Sequence, residues 1–107
     1  MTNIAIFFLD AADEERYEEA KFAFLSIINN YDMIKIPFLF IVNKIDLKPE
    51  VSKESIIEYF ELSKFKDRKW DVHLISVEKS IGVNNSINWV MDTAETIEES
   101  EYEPDFI

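Results

Sequence analysis

Glycine is almost absent from this sequence: Gly82 is the only one in 107 residues. A Walker-type phosphate loop needs two glycines and a Gly-Lys-Ser/Thr ending, so that successive backbone N–H groups can wrap an anion. No stretch here meets that need, and no Asp-x-x-Gly element is present. Cysteine is missing altogether, which removes disulfides and thiolate metal sites. No apolar run approaches the roughly 20 residues that span a bilayer. No signal-peptide pattern is evident at the start. Basic residues are scarce: 11 Lys and Arg stand against 22 Asp and Glu, a net charge of −11. That balance argues against nucleic acid and against direct membrane insertion or binding to an anionic membrane. The expected location is the cytoplasm. His73 is the sole histidine, and its mid-strand place reads as a packing or surface residue rather than a metal ligand.

What the chain does have is apolar content, 48% of its residues, enough for one compact domain. Its clearest stretch runs from Pro37 to Leu47. Phe38 to Val42 are all apolar, which marks an inner strand buried on both faces of a parallel sheet. The run stops abruptly at Asn43-Lys44-Ile45-Asp46. Polar residues at the carboxyl end of such a strand stand where ligands bind in open α/β sheets.

The other segments repeat a strand–helix pattern. Ile4 to Leu9 reads as a second doubly buried strand. Asp13 is a candidate N-cap, with Glu14 and Glu15 suited to the positive helix end. Tyr17, Ala20, Phe24, Leu25 and Ile28 then recur at helical spacing. After Pro49, Ser52 reads as an N-cap flanked by Val51 and Ile56, and a helix to about Leu62 follows. Lys64 to Lys69 reads as a surface connection. Trp70 leads into a third strand over about 72–77. Gly82 falls in a turn, Asn84 or Asn85 caps the last helix, and Ile87, Val90, Met91, Ala94 and Ile97 form its apolar face. The predicted fold class is α/β, with three parallel strands and helices on both faces. The expected domain covers 1–97, and 98–107 is an acidic tail expected to be frayed or disordered.

Asn-Lys-x-Asp is similar to the guanine-specifying motif of GTP-binding proteins, and the chemistry fits. Guanine carries two adjacent donors, N1–H and the 2-amino group. An ionised carboxylate at Asp46 can accept both, and charge-assisted bidentate bonds are strong. Adenine would leave that carboxylate unpaired, a discrimination of roughly 10⁴-fold or more. Lys44 would lay its methylene stem along the base with its ammonium near the ribose. Asn43 would tie neighbouring turns together. Ser76-Val77-Glu78, after the third strand, matches in place the Ser/Cys-Ala-x turn of small GTPases. There the Val77 N–H would donate to guanine O6. Val77 and Glu78 depart from the usual Ala and Lys or Thr.

With both motifs in place, the chain resembles the carboxyl-terminal half of the ADP-ribosylation-factor (Arf/Arl) family of small GTPases. Leu9-Asp10-Ala11-Ala12-Asp13-Glu14-Glu15-Arg16 is similar to its Val-Asp-Ser-x-Asp-x-Glu-Arg segment. Lys66-Asp67-Arg68-Lys69-Trp70 is similar to its Arg-x-Arg-x-Trp segment. Gly82-Val83-x-x-Ser86-Ile87-x-Trp89 resembles its Gly-Leu-x-x-Gly-Leu-x-Trp helix start. The resemblance implies a three-layer Ras-like P-loop NTPase fold, truncated here to three parallel strands with flanking helices. It implies GTP or GDP held by guanine-base contacts only, with no Mg²⁺ bound by this chain. It also implies a family role in vesicle trafficking at the Golgi or other endomembranes. The phosphate loop, switch segments, catalytic glutamine and lipid anchor of that family have no counterpart in these residues, so no catalytic residue is assigned.

Two functions follow. One is a guanine-nucleotide-binding portion of an Arf-like GTPase. The other is a nucleotide-free interaction scaffold, favoured by the acidic surface and by Val77 and Glu78. Either way, the 4–9 strand should present an apolar edge to a complementary amino-terminal half or to a second copy.

Overall fold

The computed structural model of the chain describes residues 4–101. Three strands, β1 (Ala5–Asp10), β2 (Phe38–Asn43) and β3 (Trp70–Leu74), form one parallel sheet in the order β1-β2-β3. Helices α1 (Tyr17–Ile28) and α2 (Lys53–Tyr59) pack on one face, and α3 (Val83–Glu101) on the other. The α/β, three-layer expectation is met.

The two cores follow from side-chain alternation along the strands. Phe7, Leu9, Phe38, Phe40, Val42 and Val72 point toward α1 and α2. Leu39, Ile41 and Ile75 point toward Trp89 and Val90 of α3. Phe24 of α1 is the hub of the larger core: its ring meets those of Phe7, Phe38 and Phe40 edge-on at 4.7, 5.5 and 5.4 Å. Each such pair contributes about 0.5–1.5 kcal/mol beyond burial. Every apolar residue of β2 is buried, because β2 alone has a strand on each side and helices over both faces.

β1 differs from the doubly buried strand expected for it. Its inner face packs, but Ile6 is 41% exposed and Phe8 71% exposed. The register places them beside Leu39 and Ile41, which α3 does cover. Thus α3 lies over β2 and β3 and stops short of β1. The expected face of α3 shifts for the same reason. Ser86, Thr93 and part of Trp89 and Val90 turn to the sheet, while Ile87 and Met91 are 50% and 59% exposed. Ile6, Ile41, Ser86, Ile87, Val90 and Met91 line an apolar cleft of about 270 Å³ between β1 and α3.

Several element ends move. Asp13 makes no capping bond; it pairs with Arg16 at 3.1 Å in a short 3₁₀ turn before α1. Ser52 does cap α2, in a reciprocal box with Ser55. That helix ends at Tyr59, because Glu61 takes a left-handed φ of 55° and redirects the chain. The following connection is not all surface: Phe65 is buried, and Arg68 Nη1 donates to Met33 O at 2.9 Å. β3 begins at Trp70, whose ring stacks on Phe38, and ends at Leu74. Gly82, at φ 76°, leads directly into Val83, so Asn84 and Asn85 lie inside the first turn of α3 rather than capping it. Glutamates favour helix, and α3 continues to Glu101 through residues expected to fray. Residues 102–107 of the acidic tail lie outside the described residues.

Candidate functional site

The carboxyl ends of all three strands meet three loops, 10–13, 43–47 and 76–81. β2 closes at Asn43, where its apolar run ends. Lys44 then takes a left-handed backbone, φ 67°, and a 3₁₀ turn follows over Ile45–Leu47. This reversal turns Lys44 and Asp46 off the line of the strand, just beyond Asn43. Ile45 N–H donates to Ile75 O at 3.2 Å and Ile75 N–H to Val42 O at 2.8 Å, which locks the turn to the end of β3.

Side chains complete the junction. Val77 N–H donates to Asn43 Oδ1 at 3.1 Å. Ser76 Oγ–H donates to Asp46 Oδ1 at 2.9 Å, and Lys79 N–H donates to Ser76 Oγ at 3.2 Å. Ser76 itself is 1% exposed and closes a small antiparallel bridge with Ile81. The 76–81 loop therefore stands fixed beside Asp46. Gly82 makes that approach possible: a Cβ there would lie 2.9 Å from Leu74 O.

The residues singled out from sequence all lie at this end of the sheet, with differences in detail. Asn43 ties the turns as expected. Asp46 is half-buried beside Ser76. Val77 N–H is engaged by Asn43, so a contact from it to base O6 requires the N–H to be shared or released. Val77 and Glu78 side chains are exposed. Lys44 Nζ donates to Asp10 Oδ2 at 2.9 Å.

Asp10, the last residue of β1, has two roles here. It does cap, since Oδ1 accepts Ala12 N–H at 2.9 Å, but its other oxygen holds Lys44. The hydrogen bond from Lys44 holds the Asp10 carboxyl below the ordinary aspartate value, and the same bond raises Lys44. The register pairs Asp10 with Asn43, and Ala11 N–H donates to Asn43 O at 2.9 Å. Ala11 is fully buried, and Tyr17 Oη–H donates to its carbonyl at 2.8 Å, so α1 braces the loop. Both β1 and β2 end in a polar residue after an apolar run; that symmetry was the available signal.

Chemically, the site offers a carboxylate with fixed orientation, a neighbouring ammonium and a braced backbone turn. Among the described residues, no group of three or more His, Asp or Glu could hold a metal ion. No described helix is long and apolar enough to cross a membrane.

Comparison with known proteins places this architecture. The sequence profile of the ADP-ribosylation factor family matches residues 1–94. ADP-ribosylation factor-like protein 3 of Caenorhabditis elegans is 32% identical over 85 residues, covering 79% of this chain and 46% of that protein. The protein of the same name from Chlamydomonas reinhardtii is 27% identical over 90 residues, covering 84% of this chain and 51% of that one. ADP-ribosylation factor K of Dictyostelium discoideum is 30% identical over 92 residues, covering 86% and 49%. The chain spans about half the length of the curated relatives it matches. With its parallel sheet and the Asn43–Asp46 turn at the sheet's carboxyl end, the chain belongs to the ADP-ribosylation factor family.

Proposed function

We propose that this chain is the guanine-recognising portion of an Arf-like GTP-binding protein. One observation carries the reading. Ser76 Oγ on Asp46 and Asn43 Oδ1 on Val77 N–H bind the two motif loops into one unit, 30 and 34 positions apart in sequence. A surface turn with no function has no need of that bracing. Asp46 would accept from N1–H and the 2-amino group, and Lys44 would flank the base. GTP or GDP would be held through the base alone, without Mg²⁺. A base pocket lacking phosphate contacts should bind at roughly 100 μM or weaker. The cellular role that goes with this reading is vesicle-mediated transport from the cytoplasmic side of endomembranes.

The test is titration with a fluorescent guanine nucleotide, with and without Mg²⁺, and an adenine analogue as control. Guanine-selective, Mg²⁺-independent binding is expected. Asp46→Asn should move the preference from guanine to xanthine, because the amide donates where the carboxylate accepted. Equal binding of both purines, or an unchanged preference in Asp46→Asn, overturns the reading.

A second reading is favoured by a separate observation, the uncovered flank. Among the described residues β1 is paired on one side only, and Ile6, Phe8, Ile87 and Met91 are exposed beside it. Alternation leaves the backbone groups of Ile6, Phe8 and Asp10 facing away from β2, since Ala5 and Ala11 are the residues that bond to it. Such an edge takes up another strand. Here the chain acts as a scaffold whose partner, a complementary segment or a second copy, completes the sheet.

A further inference from the structure

We propose that Asp10 is a positioning residue of the base site, fixing the Lys44 side chain across the ends of β1 and β2 as one wall of the purine pocket. The inference rests on the guanine reading above and deepens it.

Lysine is a poor wall on its own. Its stem has four rotatable carbons and its ammonium prefers water. Here the side chain leaves a left-handed backbone at the end of β2 and ends 2.9 Å from Asp10 Oδ2, so the stem crosses between the two strand ends. Three carboxylates act on the Lys44 ammonium, those of Asp10, Asp13 and Asp46, and it hydrogen-bonds to Asp10. That partner is itself held in place. Asp10 is register partner to Asn43, and its other oxygen is held by Ala12 N–H. Asp46 is thereby left to Ser76 rather than drawn into an ion pair with its own neighbour. The Asp10–Lys44 pair keeps the accepting carboxylate and the stacking stem apart.

Both side chains are more than a third exposed, so the effect is modest, about two- to fivefold in affinity. Asp10→Asn isolates it, because the amide oxygen can still accept from Ala12 while the attraction to Lys44 is gone. The sign is diagnostic. Removing an acid near an anionic ligand should tighten binding by charge alone; loss of the Lys44 anchor should weaken it.

The experiment is a chemical-shift titration of the full 107-residue chain with GMP and with AMP. Wild type, Asp10→Asn, Asp10→Glu, Lys44→Met and the Asp10→Asn/Lys44→Met double variant are compared. Asp10→Asn should raise the GMP Kd about two- to fivefold and lower the GMP-over-AMP ratio. Asp10→Glu should stay closer to wild type. In the Lys44→Met background, Asp10→Asn should add nothing further. Unchanged or tighter GMP binding in Asp10→Asn, or an equal loss in both backgrounds, overturns the role of Asp10. A wild-type chain that does not distinguish GMP from AMP overturns the guanine reading and this inference with it. Should Asp10→Asn unfold, Asp10→Ser keeps an oxygen for Ala12 and carries the same two outcomes.

Discussion

Ser76→Ala tests whether the two motif loops form one unit. Ser76 is 1% exposed, and its hydroxyl donates to Asp46 Oδ1 at 2.9 Å and accepts Lys79 N–H at 3.2 Å. A hydrogen bond to a charged group contributes about 1.5–3 kcal/mol. Asp46 is only half-buried, so water replaces part of what is lost. The Lys79 N–H also loses its acceptor. The net cost should be about 1–2 kcal/mol. For a domain of this size that lowers Tm by roughly 5–15 °C, or the urea midpoint by about 0.5–1 M. Released from Ser76, the Asp46 carboxylate can rotate, and guanine-nucleotide affinity should fall about three- to tenfold with a smaller guanine-over-adenine ratio. Urea denaturation followed by circular dichroism gives the first quantity, and nucleotide titration the second. The comparison is strongest in an Asp46→Asn background, where the cost of Ser76→Ala should shrink because the charged acceptor is gone. A loss below about 0.5 kcal/mol, with unchanged base preference, would refute the reasoning, since the bond would then be incidental.

Two further outcomes follow from other parts of the molecule. Phe8→Lys, on the outer face of the edge strand, should reduce any concentration-dependent self-association seen by sedimentation while leaving Tm within a few degrees, because Phe8 is already exposed; unchanged association would place the contact elsewhere. On the pH side, burial pushes the Asp71 carboxyl up, but the hydrogen bonds from Lys53 Nζ and Val72 N–H, with Lys53 and His73 nearby, outweigh it and hold the group below its ordinary value. A depressed folded value means that the stabilisation is present above the unfolded aspartate pKa and is lost as pH falls through the folded one. Lys53→Met, which removes the 2.7 Å ion pair to Asp71 Oδ1, should lower stability at pH 7 and flatten the acid limb of a midpoint-versus-pH curve; a curve parallel to wild type would count against that account.

The site was partly legible because its anchors are sequence-local. Asn43, Lys44 and Asp46 follow an apolar run, and one strand end dictates their common location. The pairing of Asp10 with Lys44 and the engagement of Val77 N–H by Asn43 were not legible. Each depends on which residues of distant strands fall in register, and on a left-handed turn at a lysine, which composition does not announce. His73 similarly turned out to bridge, with Nδ1 2.8 Å from Ser86 Oγ and Nε2 3.2 Å from Asp71 Oδ2, so the polar Ser86 could sit on the buried side of α3.

The sequence by itself determined the class of fold, the inner strand and the face of α1 that packs on it. Unbroken apolarity in Phe38–Val42, the spacing of Tyr17, Ala20, Phe24 and Ile28, and the Ser52 cap each act within a few residues. Periodicity states that a face is apolar; it does not state that anything covers it. Only the tertiary structure decided that α3 reaches β2 and β3 but not β1. Ile6, Phe8, Ile87 and Met91 therefore carry core-type side chains in exposed positions, and the physical reason is the number of layers packed over each strand, a property of the assembled sheet rather than of any segment.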